Sequence, residues 1–299
     1  MPHTFELALP GPIDMPASVE RFRRWGDDLL DRWDGQTFVR VTYADGVALP
    51  YACTVIGTTE APRGRVMVRE PAEAPAVERA IRGMWGMASP GSLEQLAARD
   101  PAIARLNERF PGMRPIVHAD GFSALVRSIS AQQVNLTWAA TTRRRLAERL
   151  GQRHTIGQYA VYTLAPARLA AAAVSDLRAM QFTTRKAEYL IGLASHMVDG
   201  SLDLATLAAS DDEEVVARLC TVRGLGRWTA EWYLARTLSR PVVVAGDLGV
   251  RKAVGLVYDA GPLPDEGQVR ALTAHWGAAA GLAQELVLYA LAMHAAAAK

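Results

Sequence analysis

Cysteine is nearly absent. The chain of 299 residues holds two, Cys53 and Cys220, far apart and in no C-x-x-C pair. Cysteine-built zinc and iron–sulfur sites are therefore excluded, and the usage fits a reducing compartment, hence a cytoplasmic location. Lysine is almost as scarce: only Lys186, Lys252 and Lys299 among 33 basic residues, the rest being arginine. That bias fits the codon usage of a GC-rich genome as readily as contact with phosphate. An excess of one charge is missing too, since 31 acidic residues leave a net +2. So mild a balance identifies no polyanionic partner, and any basic surface must be local. Six histidines form no H-x-x-x-H pair, so a metal site is not expected. No run reaches the ~18 apolar residues of a membrane span. The start, MPHTFELALP, lacks the basic-then-apolar order of a signal peptide.

What is present is a large apolar fraction, 50%, with 21% charged residues, enough for one large domain or two. The front reads as α+β. Phe5–Leu9 alternates as a strand, and Val19–Trp33 carries helical spacing. Thr37–Tyr43, Tyr51–Gly57 and Arg65–Arg69 read as strands separated by Ala44-Asp45-Gly46 and Ala61-Pro62-Arg63-Gly64. Glu70–Pro75 begins a linker or a second helix. Beyond about residue 90 the pattern predicts helix throughout, from Leu93–Arg99 to Ala283–Ala297. Ser210 and the acidic run after it favour a helix start, and Gly151 and Gly200 sit at helix stops. The expected architecture is an α+β N-terminal domain (1–88), a small antiparallel sheet with helices, followed by a larger all-helical region (89–299).

The sharpest local pattern is Cys220-Thr221-Val222-Arg223-Gly224-Leu225-Gly226-Arg227-Trp228-Thr229, an apolar helix end, Gly-Leu-Gly, and a second helix at once. The glycines remove side chains where a phosphate could approach the unpaired amides of the next helix. An ordinary tight turn between helices fits the spacing equally. Downstream, Val242-Val243-Val244-Ala245-Gly246-Asp247 runs into a helix. Asp247 reads first as a helix cap, a role compatible with catalysis because the helix end fixes the carboxylate's direction. A fixed carboxylate suits glycosidic chemistry, where positive charge builds on the sugar.

Taken in order, Phe122–Val134, Arg185-Lys186-Ala187-Glu188-Tyr189-Leu190, the hairpin at about 211–238 and Val244–Arg251 resemble the helix-hairpin-helix-GPD DNA glycosylase superfamily. Within it they are similar to the bacterial 3-methyladenine DNA glycosylase II (AlkA-like) group. The resemblance covers nearly the whole chain and implies base-excision repair of alkylation damage in double-stranded DNA by base flipping, in a bacterial, nucleoid-associated, monomeric enzyme. It implies Asp247 as the catalytic residue, Trp228 and Trp232 in the base pocket, and Gly224, Gly226 and Thr229 donating backbone amides to a DNA phosphate. It implies Gln133 inserted into the gap left by the flipped nucleotide. No cofactor is required, although the carbonyls of Cys220, Val222 and Leu225 would suit a structural Na+ or K+.

Bifunctional relatives carry lysine two residues after the second glycine, where this chain has Trp228, so the resemblance implies hydrolysis without a lyase step. Three positions depart from the group. Ala279 stands where a stacking Trp is usual, Gln133 replaces an apolar wedge, and Gln181 replaces a glycine. The expected substrates are 3-methyladenine and 7-methylguanine types. The alternatives are an altered preference such as hypoxanthine, or a non-catalytic DNA-binding protein. Arg143-Arg144-Arg145 reads as a solvated helix face, with DNA backbone contact as the other option. Trp138 and Tyr189 read as core, Met84, Met87 and Met113 as gap-fillers, and Trp25, Trp33 and Trp85 as packing between the front and the helices.

Overall fold

The computed structural model describes residues 2–85 and 91–297. The expected boundary at 88/89 and Met87 lie outside them. In chain order the front contains β1 (His3–Ala8), α1 (Met15–Val19), α2 (Arg21–Arg24), β2 (Arg32–Trp33), β3 (Thr37–Ala44), β4 (Val47–Val55), β5 (Arg63–Val68) and α3 (Ala74–Gly83). The strands form one antiparallel sheet in the order β1-β5-β4-β3-β2. Asp45 and Gly46, both at positive φ, make the tight turn joining β3 to β4, as the A-D-G signal predicts. Strand alternation sends Phe38, Tyr51, Cys53, Val66 and Val68 to one face, where they pack with Val77, Ile81 and Trp85.

Next come α4 (Ser92–Ala97), α5 (Pro101–Arg109), α6 (Gly121–Ala131), α7 (Leu136–Leu150), β6 (Gln152–Ile156), β7 (Tyr159–Thr163), α8 (Pro166–Ala170), α9 (Val174–Ala179) and α10 (Thr184–Val198). They are followed by α11 (Leu204–Ala209), α12 (Asp212–Cys220), α13 (Arg227–Arg236), α14 (Leu248–Val257), α15 (Glu266–Thr273) and α16 (Ala280–Ala297). Most begin on a side chain that accepts backbone amides, among them Asp100, Asp120, Asn135, Thr183 and Asp265. The cap of α12 is Asp211 rather than Ser210. One apolar core joins α6–α10 with α12 and α13; another joins α4, α5 and α14–α16.

Two expectations are corrected. The helix read over Val19–Trp33 is instead α1, α2, an irregular stretch and β2. Asp27 and Asp28 accept the amides of Leu29 and Leu30, and Leu29 takes a positive φ, so the local side chains compete with helix. The helical region also contains one hairpin, β6–β7, whose Ile156 and Val161 cover the second sheet face at Val39, Val41 and Ala52. It is tied down by Tyr162 N–H to Leu29 O at 2.8 Å and by Arg32 to Ala160 O at 2.7 Å. Of the tryptophans, Trp33 and Trp85 are buried while Trp25 is 45% exposed. Met84 and Met113 are buried as gap-fillers should be. The helical stretch Glu266–Ala297 is long and apolar enough to cross a membrane by length and composition. It breaks at Gly277, however, and Leu282, Leu286 and Val287 are core.

The irregular stretch exists to deliver two carboxylates. Asp28 takes Arg127 at 2.5 Å and Arg143 at 2.8 Å, and Asp31 takes Arg40 at 2.6 Å and Arg127 at 2.8 Å. Arg143 is thus buried and does not share the solvated face of Arg144, which pairs with Glu148. Burial alone would push both carboxyls up, but the facing guanidiniums override it and hold them below the ordinary carboxylate range. Asp28→Ala strands the buried Arg143 and leaves Arg127 with Asp31 alone, and should cost about 3–5 kcal/mol, read as a lower urea midpoint. The stabilisation from these depressed carboxyls is complete above about pH 4 and is lost as pH falls through their folded-state values. Asp28→Asn should flatten that acid-side loss of stability in pH-dependent melts.

Candidate DNA-binding and catalytic site

The Gly-Leu-Gly turn links α12 to α13, and its two glycines have different reasons to be glycine. Gly224 sits at φ +96, and an added Cβ would lie 2.3 Å from the Tyr189 ring. Gly226 has extended backbone and open space around any Cβ. Nothing inside the protein demands a glycine there; the space is kept clear in front of α13. Leu225 points into the helical core, as expected for the residue that locks the two helices. Gly226 is the N-cap of α13 and supplies no side-chain cap, so the first-turn amides through Thr229 have no side-chain partner among the described residues. Thr229 itself is buried, and among the described residues its hydroxyl has no hydrogen-bond partner. Arg223 and Arg227 flank the turn, exposed and loosely paired with Glu188 (3.2 Å) and Glu231 (3.8 Å).

Asp247 caps α14 and reaches α13 at the same time. Its Oδ1 accepts the Val250 amide at 3.0 Å, while its Oδ2 accepts Trp228 Nε1 at 2.9 Å and Trp232 Nε1 at 3.3 Å. The carboxylate therefore stands beside the first turn of α13, where the two helical cores meet. The two indoles were expected as pocket walls. Their N–H groups in fact face the acid, and the Arg236 guanidinium lies 4.0 Å from the centre of the Trp232 ring, covering one of its faces. Arg236 is itself paired with Glu285 at 3.0 Å. Its place one turn after Trp232 on α13 was the only signal in the sequence. A Cβ at Gly249 would lie 3.0 Å from Asp247 Oδ1, so the absence of a side chain there leaves that oxygen approachable. Ala279 is buried, and Trp276 beside it donates to Tyr258 Oη at 2.8 Å within the core.

Gln133 is exposed in the loop between α6 and α7, at φ +54. Its neighbour Gln132 donates from Nε2 to the Gly224 carbonyl at 2.8 Å, and Lys186 Nζ donates to the Ser130 carbonyl at 2.8 Å. Neither contact is visible in the sequence. Trp138, expected in the core, is 39% exposed beside this loop with Arg145 over its ring. Arg145 also bonds Gln181. Tyr189 is half-buried beneath Gly224. The carbonyl of Val222 accepts the Leu225 amide at 3.0 Å, whereas among the described residues those of Cys220 and Leu225 accept no backbone amide. Oxygen atoms with free lone pairs remain there, a donor set that suits an alkali cation.

Residues 126–278, half of the chain, match the HhH-GPD superfamily of base excision DNA repair proteins, and the chain belongs to that superfamily. It is 27% identical to the DNA-3-methyladenine glycosylase of Bacillus subtilis (strain 168) over 184 residues, covering 61% of either chain. It is 35% identical to DNA-3-methyladenine glycosylase 2 of Escherichia coli (strain K12) over 136 residues, 45% of this chain and 47% of that protein. The chain thus spans 47% to 61% of the length of these curated relatives. The fold is that of the 3-methyladenine DNA glycosylase from Archaeoglobus fulgidus, with a TM-score of 0.82, 23% identity and coverage of 95% and 96%. It is shared with the Clostridium acetobutylicum 8-oxoguanine glycosylase/lyase in complex with DNA, with a TM-score of 0.75, 16% identity and coverage of 98% of each chain.

The two glycines separate experimentally. Gly224→Ala must clear an aromatic ring from a left-handed backbone and should lose on the order of 1–3 kcal/mol in denaturant melts. Gly226→Ser instead places a capping oxygen in open space on extended backbone. It should leave stability unchanged or raise it by a few tenths of a kcal/mol.

Proposed function

We propose that the protein is a monofunctional DNA glycosylase that flips an alkylated purine, of the 3-methyladenine or 7-methylguanine type, out of duplex DNA and hydrolyses its N-glycosidic bond. The observation that carries this reading is the position of Asp247, a fixed carboxylate within hydrogen-bond reach of the first turn of a helix whose uncapped amides can grip a phosphate. The curated relatives named above support the reaction class.

On this reading Gly224, Gly226 and Thr229 present backbone N–H groups to one phosphate, with the positive end of α13 behind them. A strand held there brings the adjacent sugar towards Asp247. Loss of the base builds positive charge on that sugar, and a carboxylate whose direction is already set by three N–H donors stabilises it without reorganising. The open Oδ1 side is where water or the sugar approaches, and Asp247 there orients or deprotonates the attacking water. An alkylated purine leaves readily because it is already cationic, so a contribution of about 3–4 kcal/mol from one preorganised group gives a useful rate. Trp228, and Trp232 on the face opposite Arg236, would supply the stacking surface for an electron-poor base. Gln133 fills the gap and can hydrogen-bond the orphaned base. The carbonyls of Cys220, Val222 and Leu225 would hold Na+ or K+, adding positive charge beside the phosphate site.

Trp228 occupies the position where a lyase would need an amine, and Lys186 is committed to the Ser130 carbonyl. The decisive assay is release of free bases from methylated duplex DNA, separated by chromatography. Asp247→Asn should keep DNA affinity and lose base release by at least ~100-fold; a wild-type rate in that variant would remove the mechanism. Borohydride should trap no covalent protein–DNA adduct, because no Schiff base forms. Gly226→Ser, though folded, should bind duplex DNA several-fold more weakly, since its hydroxyl competes with the phosphate for the same amides.

A further inference from the structure

The two DNA-facing devices described above lie 92 residues apart in sequence and are joined by one side chain. Gln132 Nε2 donates to the carbonyl of Gly224 at 2.8 Å. The same peptide unit carries the Leu225 N–H, which closes the hairpin turn on Val222 O at 3.0 Å. This peptide plane is therefore pinned at both ends, and the amides that follow it are aimed by it. On the other side, Gln132 immediately precedes Gln133, which holds a left-handed backbone that side chains rarely adopt. The loop is anchored at each flank: Lys186 Nζ holds the Ser130 carbonyl at 2.8 Å, and Asn135 Oδ1 accepts the Trp138 amide at 2.8 Å. The Gln132 side chain can offer a carbonyl only its amide nitrogen, so the direction of the bond is fixed by chemistry.

We propose that Gln132 is a positioning residue that couples the phosphate-gripping turn to the inserted Gln133, so that seizing the strand and filling the gap occur as one movement. The inference rests on the glycosylase reading. A turn gripped by phosphate and a wedge joined to it by one hydrogen bond cannot move independently without breaking that bond. The wedge is thereby presented before DNA arrives, and the ordering cost of the insertion step falls. Gln132 touches neither the base nor the sugar in this scheme; it acts through Gln133 and Gly224.

The test measures single-turnover base release at saturating protein, together with fluorescence of a 2-aminopurine placed beside the lesion, which reports unstacking. Gln132→Met keeps the size and removes the donor. It should slow release and reduce unstacking by about five- to tenfold, the scale of one neutral hydrogen bond, while affinity for undamaged duplex changes less than twofold. Gln132→Lys retains a donor and should recover most of the loss. In a Gln133→Gly background, where the backbone conformation is kept but the wedge is gone, Gln132→Met should add nothing further. Wild-type unstacking in Gln132→Met, or losses that simply add in the double variant, would overturn the coupling. If Gln132→Met lost its cooperative melt, Gln132→Glu, of the same shape and without the donor, would be read in the same way. A wild-type protein that released no base would defeat the glycosylase reading instead. Unstacking on DNA with an abasic analogue would still judge the tether.

Discussion

A single carboxylate, Asp247, receives N–H groups from two helices that belong to different cores, and the candidate site is organised around it. Its Oδ1 closes the first turn of α14, and its Oδ2 takes the indoles of Trp228 and Trp232 from α13. The junction between the cores is thereby set at the point where the glycine turn opens to solvent. Had Asp247 been only a cap, one oxygen would suffice; the second oxygen carries the orientation of α13. Loss of the charge and loss of the geometry are consequently different perturbations, and only a substitution that keeps the shape separates them.

The front of the molecule serves this arrangement from a distance. The loop after α2 sends Asp28 and Asp31 into the helical region, where Arg127 on α6 and Arg143 on α7 meet them. These are the two helices that bracket the Gln133 loop. A buried ion network of this kind is a weak source of net stability, but it is intolerant of a missing partner. Its consequence is a fixed angle between α6 and α7, and so a fixed place for the loop between them. The second face of the sheet is closed by the β6–β7 hairpin, which follows α7 directly.

Much of the candidate site's geometry was legible because it is local. A glycine pair between apolar helices and an acid at a helix start announce themselves through backbone requirements confined to a few residues. The helices beyond residue 90 were legible for the same reason, since their caps and periodicity lie within one or two turns. The failures were non-local. Val19, Phe22, Leu29, Leu30 and Trp33 share a helical spacing but belong to separate pieces, divided by a stretch whose Asp28 and Asp31 reach Arg127 and Arg143, 96 to 115 residues away. Arg143 belongs to a run that reads as a solvated face until Asp28 arrives to bury it. The β6–β7 hairpin consists of five-residue strands whose apolar positions have meaning only against the front sheet. Gln132 and Arg236 likewise acquire their roles from Gly224 and Trp232 across a tertiary contact.

On the proposed reading, the same division explains how a chain with a net charge of +2 could bind a polyanion. Arg40, Arg127 and Arg143 are consumed by internal carboxylates and contribute little outward field. At the hairpin the cations are different. Arg223 and Arg227 are largely exposed, and their pairs with Glu188 and Glu231 are of a kind worth little in water. They can exchange those partners for a phosphate at small cost. On that reading the remaining attraction would come from the amides at the start of α13, which carry partial positive charge without adding to the formal count. Oriented dipoles, unlike mobile side chains, lose no conformational freedom on engaging the ligand. A glycine with empty space before it is therefore a more economical phosphate site than another arginine, and it leaves the charge balance of the chain near neutral.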